Sequence, residues 1–283
     1  MATSAEIAVS YDVGNDFFRL WLDRNMNYSC AMWQEGDDLD RAQQRKLDFL
    51  HDLARIDQRS RVLDVGCGWG ANLARLSEHR GVVAAHGLTM SAAQAEEAIA
   101  RKIPRTVIEI IDYRDYSPAG SFDAVISIDM FEQIATPQQA LRGEHMRVFR
   151  HFFRRVHRWT RPGAWFALQT VTLNRLPRRA DHIRDLAEAT RAVLPGSRCA
   201  RLDEIVQACG TWWEVREVTT RRADYIRTCT EWHSRLRAAE TEIRQRWGDR
   251  IYQEFDLFLR TCILSFELNY LSLAQLALHR IDD

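Results

Sequence analysis

The order of hydrophobic and polar positions divides the chain into a helical N-terminal part and a part in which strands and helices alternate. Residues 16–22 and 40–55 place apolar side chains at helical spacing, whereas residues 25–33 follow neither the helical nor the strand period. From residue 61 onward, short apolar runs of strand type are separated by amphipathic helical segments. This alternation predicts right-handed crossovers and a parallel sheet covered by helices on both faces.

The same pattern predicts the individual elements of the alternating part. Strands are expected at residues 61–65, 82–86, 106–111, 124–128 and 164–171, and helices at 71–79, 91–101 and 144–159, the second of these with Ser91 as its N-cap. Residues 174–201 contain two prolines, a glycine and several arginines, and we expect a loop or covering segment there. Further along, the pattern predicts a helix at 202–209, a strand at 213–218, mostly helix at 223–259 and a final strand at 270–278.

Composition narrows the class of protein. The chain has 283 residues, 46% of them hydrophobic, with 39 Lys+Arg against 39 Asp+Glu, which suits a folded domain and gives no bulk attraction to nucleic acid. Lys46 and Lys102 are the only lysines. Codon bias in a GC-rich genome explains this, and so does a need for planar guanidinium groups that meet carboxylate or phosphate. Composition leaves both explanations open.

Targeting and cysteine patterns indicate a cytoplasmic protein. Residues 1–11 lack the charged and apolar regions of a signal peptide, and no later stretch approaches the roughly 20 apolar residues of a membrane span. The six cysteines are far apart and form no Cys-x-x-Cys pair. We therefore expect no integral membrane segment, no metal site and no disulfide framework.

A glycine-rich loop, VLDVGCGWG at residues 62–70, ends the first predicted strand. Glycines allow the backbone to turn tightly against a ligand, and the helix that follows presents free N–H groups. No Lys-Ser or Lys-Thr pair follows, which excludes a P-loop. A dinucleotide site is the main competitor, but its third glycine would come one residue later and its acidic residue is absent from residues 87–90. With Asp64 inside the strand, the loop better suits a nucleoside without a pyrophosphate.

The chain around this loop resembles the cyclopropane fatty acid synthase and mycolic acid cyclopropane synthase family of class I S-adenosylmethionine-dependent methyltransferases. The segments that carry the resemblance are YDVGNDFF (11–18), YSCA (28–31), the glycine loop, GLTMS (87–91) with Gln94, and SIDMFE (127–132). Weaker matches are LPG (194–196), Asp224-Tyr225 before Trp232, and LRTC (259–262) with Phe266. Plant-type amine N-methyltransferases share much of this pattern.

The resemblance implies an α/β fold, a Rossmann-like doubly wound sheet with an antiparallel last strand and added helices that cover the acceptor site. We expect a single methyltransferase domain over residues 1–283. Within it we assign an N-terminal helical cap (1–59), a cofactor-binding core (60–173), acceptor-side cover segments (174–260) and a final strand region (261–283).

The resemblance also implies which residues surround S-adenosylmethionine. Carried over by position, they are Tyr28, Ser29, Asp64, Gly66, Gly68, Thr89, Gln94, Tyr113 and Ile128. Tyr113 stands where the family often has tryptophan, which keeps an aromatic wall against the adenine. The alternative for Tyr113 is an aromatic side chain that fills the core at the end of a strand.

Catalysis in the family is understood to use a bicarbonate base held by a Cys, a Glu, a Tyr and a His. The matching catalytic positions here are Cys30, Glu132, Tyr225 and, in place of the histidine, Gln169. Glutamine keeps hydrogen-bonding capacity but cannot titrate. Either bicarbonate still binds and removes the proton, or Glu132 acts directly as the base with a pKa raised by burial. A third reading makes Glu132 a structural carboxylate that caps the next helix.

Departures from the family pattern bear on the acceptor. Glu267 stands where the family commonly has arginine, and residues 136–144 are extra. We take these as signs of a reshaped acceptor pocket, and we expect the acceptor to be a small unsaturated natural product. The many arginines are compatible with an anionic group on this acceptor. The leading hypothesis is C-methylation through a carbocation that is then deprotonated; the alternatives are N-methylation of a small amine, or a cofactor-binding protein that has lost catalysis. A homo-oligomer is compatible with the sequence.

Overall fold

A seven-stranded sheet forms the centre of the molecule, whose computed structural model describes residues 13–282. Tyr11 and Asp12, which open the first segment of the family resemblance, lie outside these residues. The strands are β1 (Arg61–Val65), β2 (Ala84–Thr89), β3 (Thr106–Ile110), β4 (Phe122–Ile128), β5 (Thr160–Leu173), β6 (Trp213–Thr220) and β7 (Leu271–Arg280).

The sheet order is β3-β2-β1-β4-β5-β7-β6. Strands β1 to β5 pair in parallel, and β7 is inserted antiparallel between β5 and β6. This topology confirms the predicted doubly wound α/β class and its antiparallel last strand.

Eleven helices surround the sheet in the part of the chain that the structure describes: α1 (Asn15–Arg19), α2 (Leu39–Leu53), α3 (Ala71–Arg75), α4 (Ala92–Ala100), α5 (Pro137–Leu141), α6 (His145–Arg158), α7 (Ala180–Val193), α8 (Leu202–Cys209), α9 (Arg222–Ala238), α10 (Glu240–Trp247) and α11 (Asp249–Glu267). The predicted N-cap of α4 is confirmed, because the Ser91 side chain accepts a hydrogen bond from the Gln94 N–H. Within residues 13–282 no helix is long and apolar enough to span a membrane.

Three elements differ from the sequence prediction. Residues 174–201 are not simply a loop, because they contain α7, whose Ala189 and Val193 are buried. Helix α11 continues to Glu267 and so crosses the boundary drawn at residue 261. The helix predicted at 71–79 ends at Arg75 and passes into a π-helical turn, Leu76–Arg80. Burial of Ala189 and Val193 in α7, and of Phe266 near the end of α11, accounts for the first two differences.

Successive side chains of the strands point alternately to the two faces of the sheet, and on each face they pack into an apolar core. Leu63 of β1 packs with Phe152 of α6 and Phe166 of β5 on one face. Its neighbour Val62 points to the other face, in the cluster that contains Leu50 of α2. Each side chain of this size contributes roughly 1.5–3 kcal/mol when it is fully buried, so the strand period itself places helices on both faces.

A third core, rich in aromatic residues, joins the N-terminal segment to the last helices. The rings of Phe17 and Phe255 lie 4.6 Å apart, and those of Trp21 and Trp232 lie 5.9 Å apart. Tyr28 belongs to the same cluster, with its ring 5.4 Å from that of Trp232. The aromatic core therefore fixes the irregular segment that carries Tyr28 against helices α9 and α11.

Gly87 of β2 provides a test of this packing. A Cβ added there would lie 2.6 Å from Cδ1 of Leu73 and 2.7 Å from Sγ of Cys67, whereas one added at Gly120 would have no atom within 4 Å. We expect Gly87→Ala to lower the free energy of unfolding by about 1–3 kcal/mol because it overpacks the core. Gly120→Ala, the control, should change it by less than about 0.5 kcal/mol. Equal unfolding midpoints in urea for the two variants would contradict the close approach.

Candidate active site

The glycine loop turns the chain sharply at the carboxyl end of β1. Gly66, Gly68 and Gly70 have φ values of +90°, +52° and +81°, which residues other than glycine rarely adopt. The N–H groups of Gly66 and Cys67 both donate to the carbonyl oxygen of Leu88 at 2.9 Å. The loop is therefore pinned to β2, and a Cβ at Gly68 would meet open space.

A cavity of about 140 Å³, partly open to solvent, lies beside this loop; we call it the cofactor cavity. All the residues that the resemblance places around the cofactor line it, namely Tyr28, Ser29, Asp64, Gly66, Gly68, Thr89, Gln94, Tyr113 and Ile128. The structure thus brings them to one cavity, and their roles in binding stay predictions.

The polar groups at the end of β2 and the start of α4 form hydrogen bonds with one another. Thr89 Oγ1 donates to Gln94 Oε1 at 3.1 Å, and the Ser91 N–H donates to Thr89 Oγ1 at 3.2 Å. Tyr113 packs edge-on against Phe152 with ring centroids 5.3 Å apart. Burial raises the pKa of Tyr113 above its usual range, so its hydroxyl stays protonated near neutral pH. This wall of the cofactor cavity is preorganised.

Asp64 lies at the end of a buried chain of polar groups. Its Oδ2 accepts a hydrogen bond from Asn72 Nδ2 at 3.0 Å, and Asn72 Oδ1 lies 2.8 Å from His51 Nε2. Burial lowers the pKa of His51 to about 4, so the ring is neutral and donates through Nε2. Burial raises the pKa of Asp64 to about 7. Among the described residues, its Oδ1 has no hydrogen-bond partner.

A fully buried lysine, which the sequence analysis did not assign, also lines the cofactor cavity. Lys46 Nζ donates to Ser29 Oγ at 2.9 Å and to Asn27 Oδ1 at 3.4 Å. Burial lowers its pKa, while the negative charges of Asp129 and Asp23 act in the opposite direction. Lys46 thus positions Ser29 and brings a cation next to buried carboxylates. The only signal in the sequence was the scarcity of lysine.

A second cavity of about 130 Å³, which we call the acceptor cavity, adjoins the cofactor cavity. Its lining is mostly apolar and comes from α7, α9 and α11, with Leu186, Trp232, Phe258 and Phe266 among the larger side chains. Three residues line both cavities, and these are Tyr28, Asp129 and Gln133. These three residues lie where the two cavities adjoin, and we call them the common wall. A group transferred from one cavity to the other would pass between them.

Glu132 places a carboxyl group in the acceptor cavity. Its Oε1 accepts hydrogen bonds from the Thr170 hydroxyl at 2.8 Å and from the Val171 N–H, whereas its Oε2 has no partner among the described residues. Burial, with a further contribution from the charge of Asp129, raises the pKa of Glu132 to about 8. The helix-capping alternative is wrong, because Thr136 caps α5.

Asp129 is the centre of the site and was not assigned a role from the sequence. Its Oδ2 accepts hydrogen bonds from the Tyr225 hydroxyl at 3.2 Å and the Cys30 N–H at 3.4 Å, and its Oδ1 accepts one from Gln169 Nε2 at 3.3 Å. Burial raises its pKa to about 6 against the opposing charge of Lys46. The signal that was available is its place in residues 127–132, directly after a strand.

Of the four residues predicted as catalytic, three meet at Asp129, but only two line a cavity. Glu132 and Tyr225 line the acceptor cavity, and Tyr225 stacks on Phe266 at 4.5 Å. Cys30 and Gln169 line neither cavity. The thiol of Cys30 donates to the carbonyl oxygen of Ala31 at 3.2 Å, and burial raises its pKa, so it is not a thiolate. Gln169 Oε1 accepts a hydrogen bond from Gln275 Nε2 at 2.8 Å, within the sheet.

The departures that suggested a reshaped pocket lie outside it. Residues 136–144, which include α5, contribute nothing to the described lining of the acceptor cavity, and Glu267 is exposed. That lining also contains no lysine or arginine. Arg179 is exposed and pairs with Asp181 at 2.6 Å. The expectation that these segments shape the pocket is therefore wrong, since its walls come from the aromatic core.

Comparison with known proteins identifies the family. The sequence model of the mycolic acid cyclopropane synthetase family matches residues 1–276. The chain belongs to this family. A cyclopropane-fatty-acyl-phospholipid synthase of Escherichia coli (strain K12) is 30% identical over 271 residues, which cover 95% of this chain and 66% of the relative. A probable fatty acid methyltransferase of Pseudomonas putida is 30% identical over 285 residues, covering 97% of this chain and 69% of the relative.

Solved structures of the cyclopropane synthetase family share the fold. The cyclopropane synthase MmaA2 from Mycobacterium tuberculosis matches with a TM-score of 0.90 at 24% identity, covering 98% of each chain. The mycolic acid cyclopropane synthase CmaA1 complexed with SAH and CTAB matches with a TM-score of 0.89 at 24% identity, again covering 98% of each chain. The class I methyltransferase fold is thus confirmed, and S-adenosylmethionine is the methyl donor of the family.

Gly66 offers a test of the cofactor cavity. A Cβ at this position would lie 2.8 Å from Met130, which lines that cavity, whereas Gly163 also has positive φ, lines neither cavity and would have no atom within 4 Å of an added Cβ. Both alanine variants should lose about 1–3 kcal/mol of stability through backbone strain. Only Gly66→Ala should also weaken binding of S-adenosylhomocysteine, by at least about tenfold, or 1.4 kcal/mol. Isothermal titration calorimetry that shows equal affinities would contradict the placement.

Proposed function

We propose that the chain is an S-adenosylmethionine-dependent C-methyltransferase that methylates an alkene or other electron-rich carbon of a small apolar acceptor in natural-product biosynthesis. The observation that carries the proposal is the contact of an apolar cavity with the cofactor cavity at Tyr28, Asp129 and Gln133. When bound, the cofactor supplies an electrophilic methyl group on a sulfonium. An acceptor in the second cavity would face that group through the common wall.

The residues of the cofactor cavity suit this ligand. The buried Oδ1 of Asp64 has no partner among the described residues and would accept a hydrogen bond from a ligand N–H or O–H group. Gly68 leaves open space for close approach of the ligand to the backbone. Lys46 holds the Ser29 hydroxyl on the opposite side.

The lining of the acceptor cavity would favour carbon methylation in two ways. Apolar walls exclude water and hold a weak alkene nucleophile in one orientation. Aromatic faces stabilise a cation, and Tyr225, Trp232 and Phe266 supply them here. After methyl transfer the acceptor carbocation would lose a proton to one of two carboxylates, that of Asp129 in the common wall or that of Glu132 in the acceptor cavity.

Deuterium labelling tests the type of reaction. With a cofactor that carries a trideuteromethyl group and a panel of alkenes and amines, we expect products from an alkene. A cyclopropane would retain two of the three deuterons and a simple methylated alkene all three, with the new bond to carbon shown by mass spectrometry and NMR. A new bond to nitrogen would instead support the N-methyltransferase alternative. Cofactor binding without turnover of any panel member would support the loss of catalysis.

Carbonate depletion tests the source of the base. If a protein carboxylate removes the proton, rates in carbonate-free buffer under argon should equal those with added bicarbonate, because no external base is required. The measurement is initial velocity at saturating cofactor, with the E. coli relative as a comparison enzyme. A rate that rises and saturates with bicarbonate would overturn direct deprotonation by the protein.

A further inference from the structure

The Asp129 carboxylate accepts hydrogen bonds from residues that, by the family resemblance, would hold an external anion. The resemblance places bicarbonate among Cys30, Glu132, Tyr225 and the position of Gln169. In the structure, the Cys30 N–H, the Tyr225 hydroxyl and Gln169 Nε2 all donate to the Asp129 carboxylate, at 3.2 to 3.4 Å. We call these three donors the anion cradle. A bicarbonate ion does not fit into it, because a carboxylate of the chain already fills it.

The backbone of Asp129 supports a functional reason for this arrangement. Asp129 directly follows β4 and has a φ of +48°. This is the left-handed region, which residues other than glycine, asparagine and aspartate seldom adopt. Its N–H donates to the carbonyl oxygen of Gln169 at 2.9 Å, which holds the residue in that conformation. Such conformations persist where the surrounding structure enforces them, and they concentrate at functional sites.

The position of Asp129 between the two cavities gives its carboxylate access to the reacting groups. It lines both the cofactor cavity and the acceptor cavity, whereas Glu132 lines only the acceptor cavity. The fully buried Lys46 provides a positive charge on the cofactor side. A negative charge at Asp129 is therefore balanced inside the protein without an added ion.

We infer that Asp129 is the resident anion of this site, that it replaces bicarbonate, and that it accepts the proton from the methylated acceptor. The inference rests on the proposed function. In the step, a C–H bond of the acceptor carbocation breaks, and its electron pair forms the new C–C bond of a cyclopropane or a C=C bond. The proton goes to a carboxylate oxygen of Asp129, so that the carbocation and the carboxylate both become neutral.

The acidities of the two carboxyl groups agree with this assignment. Burial raises the pKa of Asp129 to about 6, and burial together with Asp129 raises that of Glu132 to about 8. The charge of Asp129 disfavours ionisation of Glu132, whereas Lys46 favours ionisation of Asp129, so a single negative charge on the pair is placed best on Asp129. Glu132 is then protonated and can donate a hydrogen bond into the acceptor cavity.

Anion binding tests the occupancy of the cradle without any acceptor. Asp129→Gly removes the carboxylate, and glycine adopts the same φ without strain. We expect ¹³C-labelled bicarbonate and acetate, titrated in the presence of S-adenosylhomocysteine and followed by NMR, to bind this variant at least about tenfold more tightly than the wild type. Asp129→Asn is the matched control, because its amide fills the space, and it should bind neither anion.

Several results would overturn the inference. Saturable bicarbonate binding by the wild type as tight as that by Asp129→Gly would show that the cradle is free, and absence of binding to Asp129→Gly would show that it is not a cradle. If circular dichroism shows Asp129→Gly to be unfolded, saturable bicarbonate binding by the wild type would still overturn the inference.

Turnover separates this inference from the proposed function. With any acceptor found in the labelling panel, Asp129→Asn should lose at least about a hundredfold in rate, and acetate should restore activity to Asp129→Gly but not to Asp129→Asn. Glu132→Gln should retain more activity than Asp129→Asn, and the reverse order would assign the proton to Glu132 instead. If no acceptor reacts, the proposed function fails, whereas the anion-binding measurements still decide what fills the cradle.

Discussion

A group of carboxyl side chains with little access to solvent, at the carboxyl edge of the sheet, is the constraint on which the rest of the site depends. Asp64, Asp129 and Glu132 follow or end parallel strands at this edge, and burial raises the pKa of each. Removing a carboxylate from water is expensive unless donors or a counter-charge replace the solvent. Each carboxyl group therefore needs hydrogen-bond donors or a positive charge beside it, while the rest of its surroundings can be apolar.

The protein meets this requirement with few groups. Asn72 donates to Asp64, the donors of the anion cradle serve Asp129, and Lys46 supplies the buried positive charge. Each of these groups comes from a different element of the chain. The carboxylates consequently tie the helical N-terminal part, the sheet and helix α9 to one another, in addition to the apolar contacts.

The aromatic core explains how the acceptor side remains dry. Tyr28, Trp232 and Phe255 belong to one packed cluster, which holds the irregular N-terminal segment against the last helices. The same cluster supplies walls of the acceptor cavity through Trp232 and Phe258. Packing that stabilises the cap thus also shapes the space for the acceptor, whereas the extra residues 136–144 and the exposed Glu267 contribute nothing to its described lining.

Sequence by itself determined the α/β class and the glycine loop, because these depend on local periodicity and on residues that are close in the chain. The residues expected around the cofactor, from Tyr28 to Ile128, followed instead from the family resemblance. Asp64 and Gly66 are fixed by one strand and the turn that follows it. Only the tertiary structure decided the positions and hydrogen-bond partners of Asp129, Lys46, Cys30 and Gln169. The Tyr225 hydroxyl lies 96 positions from Asp129 and the Cys30 N–H lies 99 positions from it. No local pattern records such a meeting, since it arises only when the sheet, the cap and α9 pack together.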